Sequence, residues 1–135
     1  MDKTLNTFDL TCLACGQVLA SDIEFLATDA TISSAANKEA VPKGKAFLYD
    51  PPYGQDSREP IRYQGVAPKM MMSGTDLDAC VSWAGVINGC CGPDGCDGPN
   101  RQCQCGAMIG TETRDCWTAF MFIPDVGQTK WVRHD

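Results

Sequence analysis

Six of the nine cysteines in this chain fall between Cys90 and Cys116, and two more, Cys12 and Cys15, sit near its start in Cys-Leu-Ala-Cys-Gly. The later run reads Cys90-Cys91-Gly-Pro-Asp-Gly-Cys96-Asp-Gly-Pro-Asn-Arg-Gln-Cys103-Gln-Cys105-Gly. Thiols gathered into short glycine- and proline-rich stretches are the pattern of metal binding by thiolates. No other feature constrains the fold as much, because the free energy of binding a structural metal is folding free energy.

A chain of 135 residues is the size of one domain, 1–135, with the cysteine-rich segment 90–116 closing onto the turn at 12–15. Hydrophobic content of 44% permits a core, but 13 Gly and 8 Pro predict short strands and many loops. The formal net charge of -6 disfavours nucleic acid, where neutralising phosphates dominates affinity. Lys43, Lys45, Arg58, Arg62 and Lys69 are spread out among acids and read as a solvated surface. No stretch has the apolar length of a membrane span. The opening Met-Asp-Lys-Thr-Leu-Asn-Thr lacks the basic start and apolar centre of a signal peptide. The expectation is therefore a cytoplasmic protein with reduced thiols. A disulfide framework is the alternative, and would leave one of nine cysteines unpaired.

Alternation at Phe8, Leu10 and Cys12 predicts a strand leading into the first cysteine turn, with Val18-Leu19, Ile23 and Phe25 on the returning strand. Lys45–Tyr49 and Ile61–Val66 read as strands. Residues 28–44 read as loop with one helical turn at Ala35–Ala40, and Asp50–Pro60 as an irregular connection. Leu77, Cys80, Val81, Ala84 and Ile87 fall near a three-four spacing, which predicts the main helix over Thr75–Asn88, with Thr75 and Asp78 as its cap. Ala107–Thr111 and Cys116–Ile123 read as paired strands, with Trp117, Ala119, Met121 and Ile123 on one face and Phe120 and Phe122 on the other. The tail Lys130–Asp135 reads as partly ordered. The expected class is α+β: short antiparallel strands, one main helix and zinc-stapled loops.

Zinc takes four tetrahedral ligands, and thiolates serve in closed structural sites. Two cysteines in a tight turn bring two sulfurs onto one ion, and a glycine after the second permits the turn. Cys12, Cys15 and Gly16 fit this, and Cys103, Cys105 and Gly106 fit it with one residue fewer. Joining them gives one four-sulfur site. Cys90, Cys91, Cys96 and Cys116 are then left for a second, while a local set of Cys91, Cys96, Cys103 and Cys105 is the alternative partition. One or two structural zinc ions follow. Cys80, on an apolar face, reads as a small core residue. His134 is the single histidine, so no Ser/His/Asp or Cys/His catalytic arrangement can be built. Cys12-Leu-Ala-Cys15 also has the spacing of a thiol redox motif.

The paired turns resemble the knuckles of a zinc ribbon. Asp97-Gly-Pro-Asn100, Cys103-Gln-Cys105-Gly, Gly110-Thr-Glu112 and Asp115-Cys116-Trp117 resemble a motif set of small uncharacterised bacterial cysteine-rich proteins, over the last third of the chain, and imply no activity. Asp50-Pro51-Pro52-Tyr53 is similar to the catalytic motif of the amino-methyltransferases that modify adenine. The glycine-rich turn and crossover helices such enzymes need are missing from the sequence, and a proline turn after a strand is the reading taken. The function expected is a non-enzymatic zinc module that binds another protein, as an inhibitor or antitoxin-like partner. Thiol redox or metal transfer is the alternative, and a nucleic-acid-binding ribbon the third reading.

Overall fold

A computed structural model describes residues 7–26, 38–49, 69–85, 89, 92–93, 98–115 and 118–134. Nine strands are present among them: β1 Thr7–Cys12, β2 Val18–Phe25, β3 Lys45–Tyr49, β4 Lys69–Met72, β5 Val81–Trp83, β6 Arg101–Cys103, β7 Met108–Thr113, β8 Met121–Pro124 and β9 Thr129–Arg133. They form one mixed sheet in the order β5-β6-β7-β8-β4-β3-β2-β1-β9. Only β2 and β3 pair in parallel; every other neighbour is antiparallel.

Strict alternation splits the apolar residues of the central strands between two faces, as a period of two requires. Ala46, Met72, Ile109 and Phe122 join Leu10, Leu19, Ile23 and Val81 in the larger core. Their chain neighbours Phe47, Met71, Met121 and Ile123 join Ala40, Val41 and Ala119 in a second core on the other face. β8 is thus buried on both faces, as its unbroken apolar sequence demands. At Gly110 a Cβ would lie 2.4 Å from the Ile123 carbonyl oxygen and 2.6 Å from the Phe122 ring, so only glycine lets β7 lie this close to β8.

The α+β expectation is overturned, since among the described residues the only helical element is the 3-10 turn Gly74–Asp76. The segment given to the main helix is broken in three places. Ser73, not Thr75, is the cap, accepting from the Thr75 N–H at 3.2 Å, and Leu77 already has extended backbone. Val81–Trp83 then pairs with Arg101–Cys103, which suits a β-branched and an aromatic residue. Gly85 follows at φ +71, outside helical geometry. The three-four spacing was satisfied by residues that reach the core otherwise: Val81 from a strand, and Leu77 and Cys80 from the connection before it. The tail, expected to be partly ordered, supplies β9, a full strand beside β1. Glu39 makes an isolated bridge with Phe120 where part of a helical turn was expected. Residues 50–60, the strand expected at Ile61–Val66 and the Asp50–Tyr53 motif lie outside the described residues.

A buried ionic network joins β6, β7 and the Ser73 turn. Glu112, 1% exposed, accepts from Arg101 Nη1 at 2.8 Å and from Arg114 Nε at 2.5 Å. Arg114 Nη2 also donates to Glu39 at 2.6 Å, and the Ser73 hydroxyl donates to the same carboxylate at 3.0 Å. The Glu112 carboxylate rests on Gly74, where a Cβ would come within 2.2 Å of Oε2. Burial lowers the Arg101 pKa, and Glu112 opposes that shift. Its planar guanidinium stacks 4.1 Å from the Trp83 ring centroid.

Candidate metal centre

Both cysteine turns are hairpin connections built alike. In the first, between β1 and β2, the Cys12 N–H donates to Gln17 O at 2.9 Å and the Gly16 N–H to Cys12 O at 2.8 Å. In the second, between β6 and β7, the Cys103 N–H donates to Ala107 O at 2.9 Å and the Gly106 N–H to Cys103 O at 2.8 Å. Gly16 at φ +79 and Gly106 at φ +100 adopt the left-handed backbone that closes each turn. The shorter second turn is therefore the same device with one residue removed.

Strands β8, β4 and β3 separate the two hairpins in the sheet, so the sheet has to curl for the turns to meet. Beside the turns, Asp78 N–H donates to Leu19 O at 2.7 Å, tying the approach to β5 onto β2. Gln104 Nε2 donates to Gln17 Oε1 at 3.1 Å from one turn to the other. The sulfurs of Cys12, Cys15, Cys103 and Cys105 all lie within 4.8 Å of one another. Cys12 Sγ is 3.6 Å from Cys105 Sγ, and Cys15 Sγ is 3.6 Å from Cys103 Sγ. These separations exceed a disulfide bond, and all four cysteines are free thiols. Cys12 and Cys103 are buried; Cys15 and Cys105 are exposed.

Backbone N–H groups point at the sulfurs two residues earlier. That of Ala107 pulls the Cys105 thiol down to about 7, helped by the neighbouring sulfurs. Burial pushes Cys103 up to about 12, against the Cys105 N–H. The Gln17 N–H lowers Cys15, but lost hydration and the Cys105 and Cys12 sulfurs leave it raised on balance. Four thiols so placed can hold one metal ion.

Of the other cysteines singled out as ligands, Cys90, Cys91, Cys96 and Cys116 lie outside the described residues. The nearest described backbone near them is close-packed: Gly89 and Gly92 lie against Asp115 and Arg114 so tightly that a Cβ at either would clash. Cys80 packs against the larger core with its thiol turned to the Val18 carbonyl oxygen at 3.6 Å. Burial, then Asp78, raises its pKa. The Glu39–Arg114–Glu112–Arg101 network had no sequence signal, because Glu39 and Arg101 come to the Glu112–Arg114 segment from distant parts of the chain. No helix of the described residues is long and apolar enough to cross a membrane. No protein-family model, curated protein or solved structure matches the chain.

Proposed function

We propose that this chain is a non-enzymatic, zinc-stapled β module that binds another protein, as an inhibitor or antitoxin-like partner, in a reducing compartment such as the cytoplasm. The observation that carries the reading is the convergence of four thiols from two hairpins 88 to 93 residues apart. Zinc–sulfur bonds of about 2.3 Å put the sulfurs of a regular tetrahedron about 3.8 Å apart, close to the cross-turn spacing seen. Four protein sulfurs fill the coordination shell and leave no open position for a substrate or an activated water. N–H groups aimed at Cys15, Cys103 and Cys105 offset the charge of a tetrathiolate.

Protein rather than nucleic acid is the partner favoured by the charge of -6 and by apolar surface near the centre. Leu13, at the tip of the first turn, is 53% exposed. A second ion held by Cys90, Cys91, Cys96 and Cys116 belongs to the same proposal. The exposure of Cys15 and Cys105 favours the second reading, thiol redox or metal transfer.

Chelation and alkylation separate the two. Stripping the metal at neutral pH is expected to abolish the near-ultraviolet signal of the folded chain, because the metal closes the sheet on itself. Iodoacetamide is expected to label the zinc-loaded chain slowly at Cys12, Cys15, Cys103 and Cys105. Fast, stoichiometric labelling of Cys12 or Cys15 in the loaded chain would replace the binding module with thiol chemistry.

A further inference from the structure

Each exposed sulfur of the centre has a buried sulfur of the opposite turn as a close neighbour. Exposed Cys105 faces buried Cys12 at 3.6 Å, and exposed Cys15 faces buried Cys103 at 3.6 Å. The approach is across the turns, although Cys12 and Cys15 are close in sequence. We propose that the centre is a site of peroxide oxidation, at which a cross-turn disulfide takes the place of the metal and the oxidised chain keeps its fold. The proposal goes beyond the binding-module reading: its disulfide chemistry stands on the sulfur geometry, and only the release of the metal rests on that reading.

The chemistry uses two of the four thiolates. The exposed thiolate, which solvent can reach, attacks one oxygen of a peroxide. The O–O bond breaks, leaving a sulfenic acid and releasing hydroxide. The buried thiolate opposite then attacks the sulfenic sulfur, forming the S–S bond and expelling a second hydroxide. Two thiolates have lost two electrons, and the peroxide has been reduced by two. A zinc ion left with two sulfur ligands is released. Either cross-turn bond, Cys12–Cys105 or Cys15–Cys103, closes the same long loop that the metal closed, so the β1–β2 hairpin stays tied to the β6–β7 hairpin. A bond within the first turn, Cys12–Cys15, would free the hairpins from each other. Cys80, whose thiol is turned to the Val18 carbonyl oxygen at 3.6 Å, is the competing thiol on the described residues that the peptide map tests.

The test is equimolar hydrogen peroxide added to the zinc-loaded full chain, followed by thiol blocking and trypsin. Cys12 and Cys15 lie in tryptic peptide 4–38, and Cys103 and Cys105 in peptide 102–114. The expected result is release of the zinc, a covalently joined pair of these two peptides, and a near-ultraviolet spectrum that survives oxidation. An internal Cys12–Cys15 bond in peptide 4–38 would overturn the proposal. So would a link from either peptide to 70–101 or 115–130, sulfinic acid without a disulfide, or unfolding on oxidation. Zinc is counted by native mass before the peroxide is added. A metal-free chain that still yields the joined peptides sinks the zinc reading and supports this one. A loaded chain that yields the internal bond does the reverse.

Discussion

Replacing Glu112 by glutamine removes one negative charge from a site where two guanidiniums depend on it. The glutamate side chain is 2% exposed, and it bonds Arg101, 11% exposed, and Arg114, 24% exposed. Glutamine keeps one carbonyl oxygen but turns an amide N–H₂ toward a guanidinium or toward Gly74. One charge-assisted hydrogen bond is lost, worth about 1.5–3 kcal/mol. Arg101 is left with no carboxylate among the described residues, whereas Arg114 keeps Glu39. Leaving a buried charge uncompensated costs about 3–5 kcal/mol in measured cases. The lower end applies here, because Arg101 also stacks on Trp83. We expect a loss of about 3 kcal/mol. The unfolding entropy of a chain this size is roughly 0.3 kcal/mol/K, so Tm should fall by about 10 °C. The assay is thermal and urea unfolding at a fixed free zinc concentration, since bound metal stabilises by mass action. Gly74→Ala should fall in the same range, because its Cβ would occupy the place of the carboxylate. The double variant should lose less than the sum of the two. A Glu112→Gln variant within about 1 kcal/mol of the parent would refute the view that this network holds β6 and β7 to the Ser73 turn.

Two further outcomes are expected. Zinc uptake should release protons, because the ligating thiols give theirs up to the metal, and the number released should fall as pH rises through the ordinary thiol range of about 8.5, where the cysteines of the unfolded, metal-free chain already ionise. Calorimetry in buffers of different ionisation enthalpy reads this, and a proton count that does not change with pH would contradict it. S-adenosylmethionine should show no saturable binding, and Asp50→Ala should leave stability nearly unchanged; binding that is lost in that variant would reinstate the Asp-Pro-Pro-Tyr segment as a methyltransferase motif.

Local chemistry made half of this protein readable from its sequence. The β1–β2 hairpin and the β7–β8 pair follow from alternation over residues whose partners are near in the chain, although β8 begins at Met121 and not at Cys116; β3 was legible even though its partners on β2 and β4 are distant. Met121 and Ile123 fall on one face and Phe122 on the other, as the period of two predicts. What failed depends on distant partners. Val81–Trp83 is a strand only because Arg101–Cys103 lies beside it, and the Lys130–Arg133 tail only because β1 offers an edge. Apolar spacing within 75–88 could not report either pairing, nor the left-handed backbone that Gly85 adopts in the middle of the expected helix. The centre divides in the same way. Each turn is legible from two cysteines and a glycine, whereas the meeting of the two requires the sheet to curl. The network around Glu112 was invisible for the same reason, since Glu39 and Arg101 are brought to Glu112 and its near neighbour Arg114 by two other segments.

We propose that Cys12, Cys15, Cys103 and Cys105 share one zinc ion. Native mass spectrometry of the parent chain and of Cys105→Ser, each reconstituted with zinc and compared with its denatured mass, tests it most directly. The parent is expected to carry this zinc, and Cys105→Ser to bind one fewer ion or to lose it under mild chelation, with Cys15→Ser behaving alike. Equal zinc content in the parent and both variants, or a parent chain that folds with no metal, would contradict it.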